Sequence, residues 1–277
     1  MDKTITQLGN ISGKLLLFGG VYSNLQALEQ LVQISLEADI PSENCICTGD
    51  IVGYCAQPEE TVRLFRDWGA RSILGNVEQQ LFDGEEDCGC DFSPGSICDG
   101  LSKRWYPYAQ RQLSRESISW MGQLPHHISF EMAHKRVTVV HGTFEQISDF
   151  VFRSTPEGIK AVSFSSSQSD VIVAGHCGLP FHQELQGKIW LNPGVVGMPA
   201  NEGLPRVWYM ILEDVGGILR YTHHHFEYNH LLAYNAMMEN KLPEGYANSL
   251  VLGLWDNMEI LPEEERELRG SPYNFSS

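Results

Sequence analysis

Cys47-Thr48-Gly49-Asp50-Ile51-Val52-Gly53-Tyr54 is the stretch from which the rest of the chain can be read. It continues a short apolar run from Cys45 and precedes Pro58, which opens a segment of helical spacing. Cys45 to Thr48 read as a buried strand; a glycine and an acid end it, and a second glycine carries the chain into a loop. That order puts Asp50 at the carboxyl end of a strand, where open α/β sheets place their chemistry. A single Gly-Asp pair is a common turn, so the weight of the reading comes from what flanks it.

The same strand, turn, helix unit recurs on both sides. Lys14 to Phe18 read as a buried strand, followed by a glycine-led turn and a helix with Asn24 as N-cap and Leu25, Leu28, Leu31 and Val32 on one face. Glu59 to Trp68 form a helix behind Pro58. Arg71 to Leu74 form a third strand, ending in Gly75-Asn76-Val77-Glu78. Three such units predict an α/β sheet whose loops gather along one edge. Cys88 to Gly100 read as a loop, leading into aromatic helical material around Trp105, Tyr106, Tyr108 and Trp120.

Strands are then expected at Ile128 to Met132, Arg136 to Val140 and Val171 to Ala174. The second runs into His141-Gly142 and the third into Gly175-His176-Cys177-Gly178. A hairpin, His182 to Leu185 with Lys188 to Leu191, meets Asn192-Pro193-Gly194. Arg206 to Leu212 and Ile218 to Tyr221 continue an antiparallel half. Asn229 to Asn240 and Gly245 to Leu254 are expected to be helical, and Glu263 to Glu267 to be a solvated acidic surface. The order fits two sheets packed face to face with helices outside. We expect one domain over 1–277, with a loop and helical insertion near 88–125 and a helical extension near 228–277.

The 277 residues are 42% hydrophobic, ample for one large core, and carry a formal charge of −16. That charge argues against nonspecific binding to nucleic acid or to an anionic membrane surface. Met1 to Gly13 lack a basic region followed by an apolar core, and no apolar run approaches the ~20 residues that span a bilayer. Seven cysteines are an odd number; with no export signal, reduced thiols in the cytoplasm are the expectation. Homo-oligomerisation is left open by composition.

Taken in order, the strand-end motifs resemble those of the calcineurin-like metallophosphoesterases, in particular their small bacterial phosphodiesterase branch. The family pattern is Asp-x-His-(Gly)-Asn, Gly-Asp, Gly-Asn-His-Asp/Glu, His-Gly and Gly-His-x-His. The matching stretches are Gly20-Val21-Tyr22-Ser23-Asn24, Gly49-Asp50, Gly75-Asn76-Val77-Glu78, His141-Gly142 and Gly175-His176-Cys177-Gly178. Asn192-Pro193-Gly194-Val195-Val196-Gly197-Met198-Pro199 also matches, and the likeness runs from about Leu15 to Tyr221. It implies a four-layer α/β/β/α sandwich and hydrolysis of a small phosphate ester, phosphodiester or nucleotide.

The resemblance also implies a metal held by Asp50, Asn76, His141 and His176, a mixed nitrogen and oxygen set suited to Mn, Fe, Ni or Zn. Asp50 and His141 are then the expected catalytic residues, with Asn76 also meeting substrate. The other ion of the family's pair would need ligands at Gly20, Tyr22 and Gly178. Two of these have no ligand side chain, so one ion is expected. The family's leaving-group histidine is Val77. These departures predict weak or atypical hydrolysis, or a non-catalytic protein that binds metal or nucleotide in a regulatory role.

Several side chains near these motifs have simpler expected roles. Tyr22 is expected to pack rather than ligate, and Glu78 to be an acid favoured by a helix N-terminus. Cys88, Cys90 and Cys98, with Cys55 and Cys177 near by, lack a regular zinc spacing and are expected to be free thiols by the pocket. Cys177 directly follows an expected ligand. His223-His224-His225 should lie at the surface, and Trp105, Tyr106 and Tyr108 in the core.

Overall fold

In the computed structural model, which describes residues 3–90 and 92–275, the strand β2 (Lys14–Phe18) shows why the layers form. Its side chains alternate between faces. Leu15 and Leu17 point into one apolar cluster and Leu16 and Phe18 into another, all of them fully buried. A strand apolar on both faces has to be covered on both.

The remaining strands are β1 (Ile5–Asn10), β3 (Cys45–Cys47), β4 (Arg71–Ser72), β5 (His127–Met132), β6 (Lys135–Val140), β7 (Val171–Ala174), β8 (Pro180–Leu185), β9 (Lys188–Pro193), β10 (Val207–Val215) and β11 (Ile218–Phe226). They form a six-stranded sheet in the order β1-β5-β6-β7-β9-β8 and a five-stranded sheet in the order β11-β10-β2-β3-β4. The helices are α1 (Leu25–Glu37), α2 (Pro58–Trp68), α3 (Asn76–Asp83), α4 (Ile97–Gln112), α5 (Arg115–Met121), α6 (Glu157–Ser167), α7 (His230–Glu239), α8 (Glu244–Leu252) and α9 (Glu263–Glu267).

One core joins the two sheets, with Leu17, Ile46 and Met210 from one meeting Phe130, Val139 and Val173 from the other. A second lies between the five-stranded sheet and α1, α2, α4, α7 and α8. A third lies outside the six-stranded sheet, where Ile172 and Trp190 meet Phe164 of α6. The result is the α/β/β/α sandwich, two mixed sheets flanked by helices. Among the described residues no helix is long and apolar enough to cross a membrane.

Local signals place most elements. Asn24 Oδ1 accepts the Ala27 N–H at 3.3 Å at the head of α1, and Pro58 begins α2. Ala133 (φ 49°) and His134 (φ 60°) form the two-residue turn between β5 and β6, whose paired left-handed residues match the twist of the flanking strands.

The antiparallel second half is corrected. β10 pairs with β2, so β10 and β11 return to the first sheet, while β6, β7 and β9 run parallel. β1 has no apolar alternation to reveal it; Ile5 is 41% exposed, and its backbone pairs in parallel with β5. α6 is serine-rich, and its Lys160 is buried because Nζ donates to the Arg153 and Thr155 carbonyls. Glu263–Glu267 is a helix rather than plain solvated surface, and Glu265 is buried, accepting from the Ser154 N–H and hydroxyl. His223 is buried too. It bonds the Asn192 carbonyl at 2.9 Å and stacks on Phe275, whereas His225 is exposed.

Candidate metal centre

β2, β3 and β4 run parallel in one sheet, as do β6 and β7 in the other, and their carboxyl ends open at one place. Asp50 follows β3, Asn76 is the first residue of α3 after β4, His141 follows β6 and His176 follows β7. All four are buried. Asp50 (φ 59°) and His176 (φ 59°) both take the left-handed backbone conformation, a strain that native structures keep chiefly where a site needs it. Gly49 permits the approach of the two sheets. A Cβ there would stand 2.7 Å from His141 Nδ1 and 2.8 Å from the Gly75 Cα.

His141 is the hub. Its Nδ1 donates to the Thr48 carbonyl at 2.6 Å, which turns Nε2 toward the centre. Around that one nitrogen lie Asn76 Oδ1 at 2.9 Å, His176 Nδ1 at 3.1 Å and Asp50 Oδ2 at 3.3 Å. Nε2 carries at most one proton, so it cannot satisfy three such neighbours by hydrogen bonding. Burial opposes charge on His141, but the facing Asp50 outweighs it and holds the imidazole above its ordinary pKa. Burial opposes charge on Asp50 as well; His141 and then His176 overcome it and hold the carboxyl below its usual range. Burial, and then His141, push His176 down to about 3.

The donor set fits a metal ion. Atoms bound to one ion at about 2.1 Å and at right angles lie about 3 Å apart, which matches the separations from Nε2. Ligand atoms of Asp50, His141 and His176 all fall within 4.8 Å of one another. The Nδ1 bond to Thr48 is the outer support that ligating histidines usually have. Two imidazoles with a carboxylate and an amide oxygen suit intermediate divalent metals.

Tyr22 (φ 53°) is buried, and its ring lies directly against Gly20; a Cβ on Gly20 would overlap the ring edge at Cε1 and Cζ. Its edge meets Tyr54 with ring centres 4.7 Å apart. Burial, and next the charge of Asp50, hold the phenol protonated. Gly178 (φ 77°) faces the Trp255 ring. The space beside Gly20 is thus packed by an aromatic ring.

Glu78 does something the sequence did not suggest. It is fully buried, and its carboxylate accepts the N–H groups of Asp50 at 2.8 Å, Gly75 at 3.0 Å and Val52 at 3.1 Å. It therefore clamps the Asp50 loop to the Asn76 loop rather than merely favouring a helix end. Burial, then the Asp50 charge, raise its pKa to about 7 against the pull of those donors. Val77 is buried and offers no side-chain proton.

The centre opens into a cavity of about 70 Å³ walled by Tyr22, Tyr54, Phe92, Phe150, Tyr246 and Trp255. No lysine or arginine lines it among the described residues. Phe150 packs on His176 with ring centres 4.2 Å apart and is itself stacked by Phe92. Of this wall only Tyr22 and Tyr54 lie near a motif, so no sequence signal marked the rest. All seven cysteines are free and buried. Cys90, Cys98 and Cys177 reach the cavity, while Cys55 does not line it. Cys177 Sγ accepts from Asn192 Nδ2 at 3.2 Å, and burial pushes its pKa up to about 12. Trp105 and Tyr106 are core residues; Tyr108 is half-buried.

The comparisons with known proteins agree with this architecture. The model of the calcineurin-like phosphoesterase superfamily domain matches residues 14–214. The "Uncharacterized protein MJ0912" of Methanocaldococcus jannaschii is 26% identical over 260 residues, 88% of this chain and 99% of that protein. The crystal structure of a metallophosphoesterase from Sphaerobacter thermophilus shares the fold with a TM-score of 0.68 at 24% identity, covering 88% of this chain and 100% of that one. The hypothetical protein PH1004 from Pyrococcus horikoshii OT3 does so with a TM-score of 0.70 at 14% identity, covering 88% and 98%. With strand-end loops, sandwich and domain match in agreement, the chain belongs to the calcineurin-like phosphoesterase superfamily.

Proposed function

We propose that the chain is a slow metal-dependent phosphoester hydrolase working with one ion, held by Asp50, Asn76, His141 and His176. The observation that carries this reading is the convergence of three oxygen and nitrogen atoms able to ligate within 2.9–3.3 Å of His141 Nε2. A single ion supplies a Lewis acid and lowers the pKa of a bound water. Asp50 and His141 orient the centre through Glu78 and Thr48. Asn76, at the head of α3, presents its oxygen to the same place.

The lining of the cavity supports one substrate class over another. Among the described residues no lysine or arginine lines the cavity, so it offers neither of the side chains that usually neutralise a phosphate dianion or a polyphosphate. A monoanionic phosphodiester with a small apolar or aromatic alcohol suits it better than a nucleoside triphosphate. The cavity beside the centre is narrow, about 70 Å³, and favours a small alcohol group. Val77 gives the leaving group no proton, and general acid help alone is typically worth ~10²–10⁴-fold; turnover should be slow. The seven free cysteines fit a reducing compartment, and we place the protein in the cytoplasm.

The packing of Tyr22 over Gly20 supports a second reading, a protein that binds metal without turnover. One experiment separates the two: metal content of the purified chain, then hydrolysis of bis(p-nitrophenyl) phosphate, p-nitrophenyl phosphate and ATP. We expect about one ion per chain, slow hydrolysis that favours the diester, and loss of activity on chelation or in Asp50→Asn. Activity indifferent to both would sink the hydrolase reading; one ion without turnover of any ester would favour the second.

A further inference from the structure

We propose that Cys90 is a positioning residue of the metal centre, acting through Asn76. This rests on the reading that Asp50, Asn76, His141 and His176 hold an ion. A side-chain amide has two orientations of almost equal shape, exchanging an oxygen acceptor for a nitrogen donor. Only one of them can coordinate a cation. In this chain both N–H bonds of Asn76 Nδ2 are taken by one loop: the Cys88 carbonyl at 2.7 Å and Cys90 Sγ at 3.2 Å. Turning the amide over would set Oδ1 against the Cys88 carbonyl oxygen, acceptor against acceptor, and aim the amide nitrogen at the ion.

The loop is fixed from its other side. Ser148 Oγ donates to the Gly89 carbonyl at 2.6 Å, and the Gly89 N–H donates to Asp87 Oδ1 at 2.8 Å. The Cys88 thiol donates to Cys90 Sγ at 2.9 Å, so this sulfur accepts from both neighbours. Cys90 is buried. The Cys-Gly-Cys loop, which belongs to none of the metal-ligand motifs, thereby sets which atom of Asn76 faces the ion.

The test measures metal binding and not turnover. Zn²⁺ affinity is obtained by competition with a chelator, and the Co²⁺ absorption spectrum reports the ligand set. Outer-sphere partners of metal ligands typically change affinity 10–100-fold. Cys90→Ala should weaken Zn²⁺ by about that factor and alter the Co²⁺ spectrum. Cys90→Ser, which retains an acceptor, should stay within about tenfold of the parent, short of the loss typical of a removed outer-sphere partner. Cys90→Val fills the volume without an acceptor and should behave like Cys90→Ala; it serves if the alanine variant does not fold.

In an Asn76→Ala background, Cys90→Ala should have no further effect, because the contact it removes is already gone. Parent-like affinity in both Cys90→Ala and Cys90→Val, or equal weakening with and without the Asn76 amide, overturns the proposal and leaves the hydrolase reading standing. A parent protein that binds no ion overturns both.

Discussion

Glu78 shows how much of this site depends on one side chain that touches neither metal nor substrate. Its two oxygens satisfy three backbone N–H groups, including that of Asp50, in a place from which water is excluded. A buried donor left unpaired costs about 1–3 kcal/mol. Glu78→Gln keeps the shape but turns an amide nitrogen toward N–H groups, and is expected to destabilise by ~2 kcal/mol. Glu78→Ala orphans all three and should cost about 3 kcal/mol or more. Urea unfolding of the two variants checks this; midpoints equal to the parent's would remove Glu78 from its bracing role. The effect should exceed that of Asp50→Asn on stability, because the Asp50 carboxylate accepts one backbone N–H, that of Val77 at 3.5 Å, where Glu78 accepts three.

At the scale of the element, the turn after β2 is built around a buried aromatic ring set against a glycine. Gly20 and Tyr22 are two residues apart, and the ring of one occupies the space that any side chain on the other would need. The pair explains itself: a large ring at 22 demands a glycine at 20. Gly20→Ala should therefore destabilise by ~1–3 kcal/mol through overpacking. In a Tyr22→Ala background that penalty should largely vanish, a coupling that a double-mutant cycle reads directly. Additive effects of the two changes would show that the ring does not fill the space beside Gly20.

For the whole molecule, the pH profile of stability follows from histidines buried away from the candidate metal centre. Burial pushes His127 and His223 each down to about 4 from an ordinary 6.5. Both are neutral in the folded chain, while the unfolded chain takes up protons below pH ~6.5. The stability they contribute is present above that pH and is lost as pH falls toward 4, up to ~3 kcal/mol for each. Melting temperatures between pH 7.5 and 4.5 should fall steeply in the parent and less in a His127→Phe/His223→Gln variant. Parallel profiles for the two proteins would exclude this origin for the acid sensitivity.

The sequence by itself marked most of the strands, turns and helices, and with them the strand-end positions of Asp50, Asn76, His141 and His176. Those are short-range properties: an apolar run, a glycine that ends it, a carboxylate or imidazole that follows. Lys14–Phe18 and Val171–Ala174 appear as strands at the expected residues because each is a fully apolar or nearly apolar run buried on both faces. Only the tertiary structure decided the rest. β10 lies beside β2 although they are far apart in sequence, and β1 is held by backbone pairing that leaves no side-chain pattern. The same holds for Glu78 under the Asp50 loop, Cys90 on the Asn76 amide and the aromatic wall drawn from distant loops and α8. Their roles come from partners that meet only when the two sheets close on each other, and no local spacing encodes which partners those are.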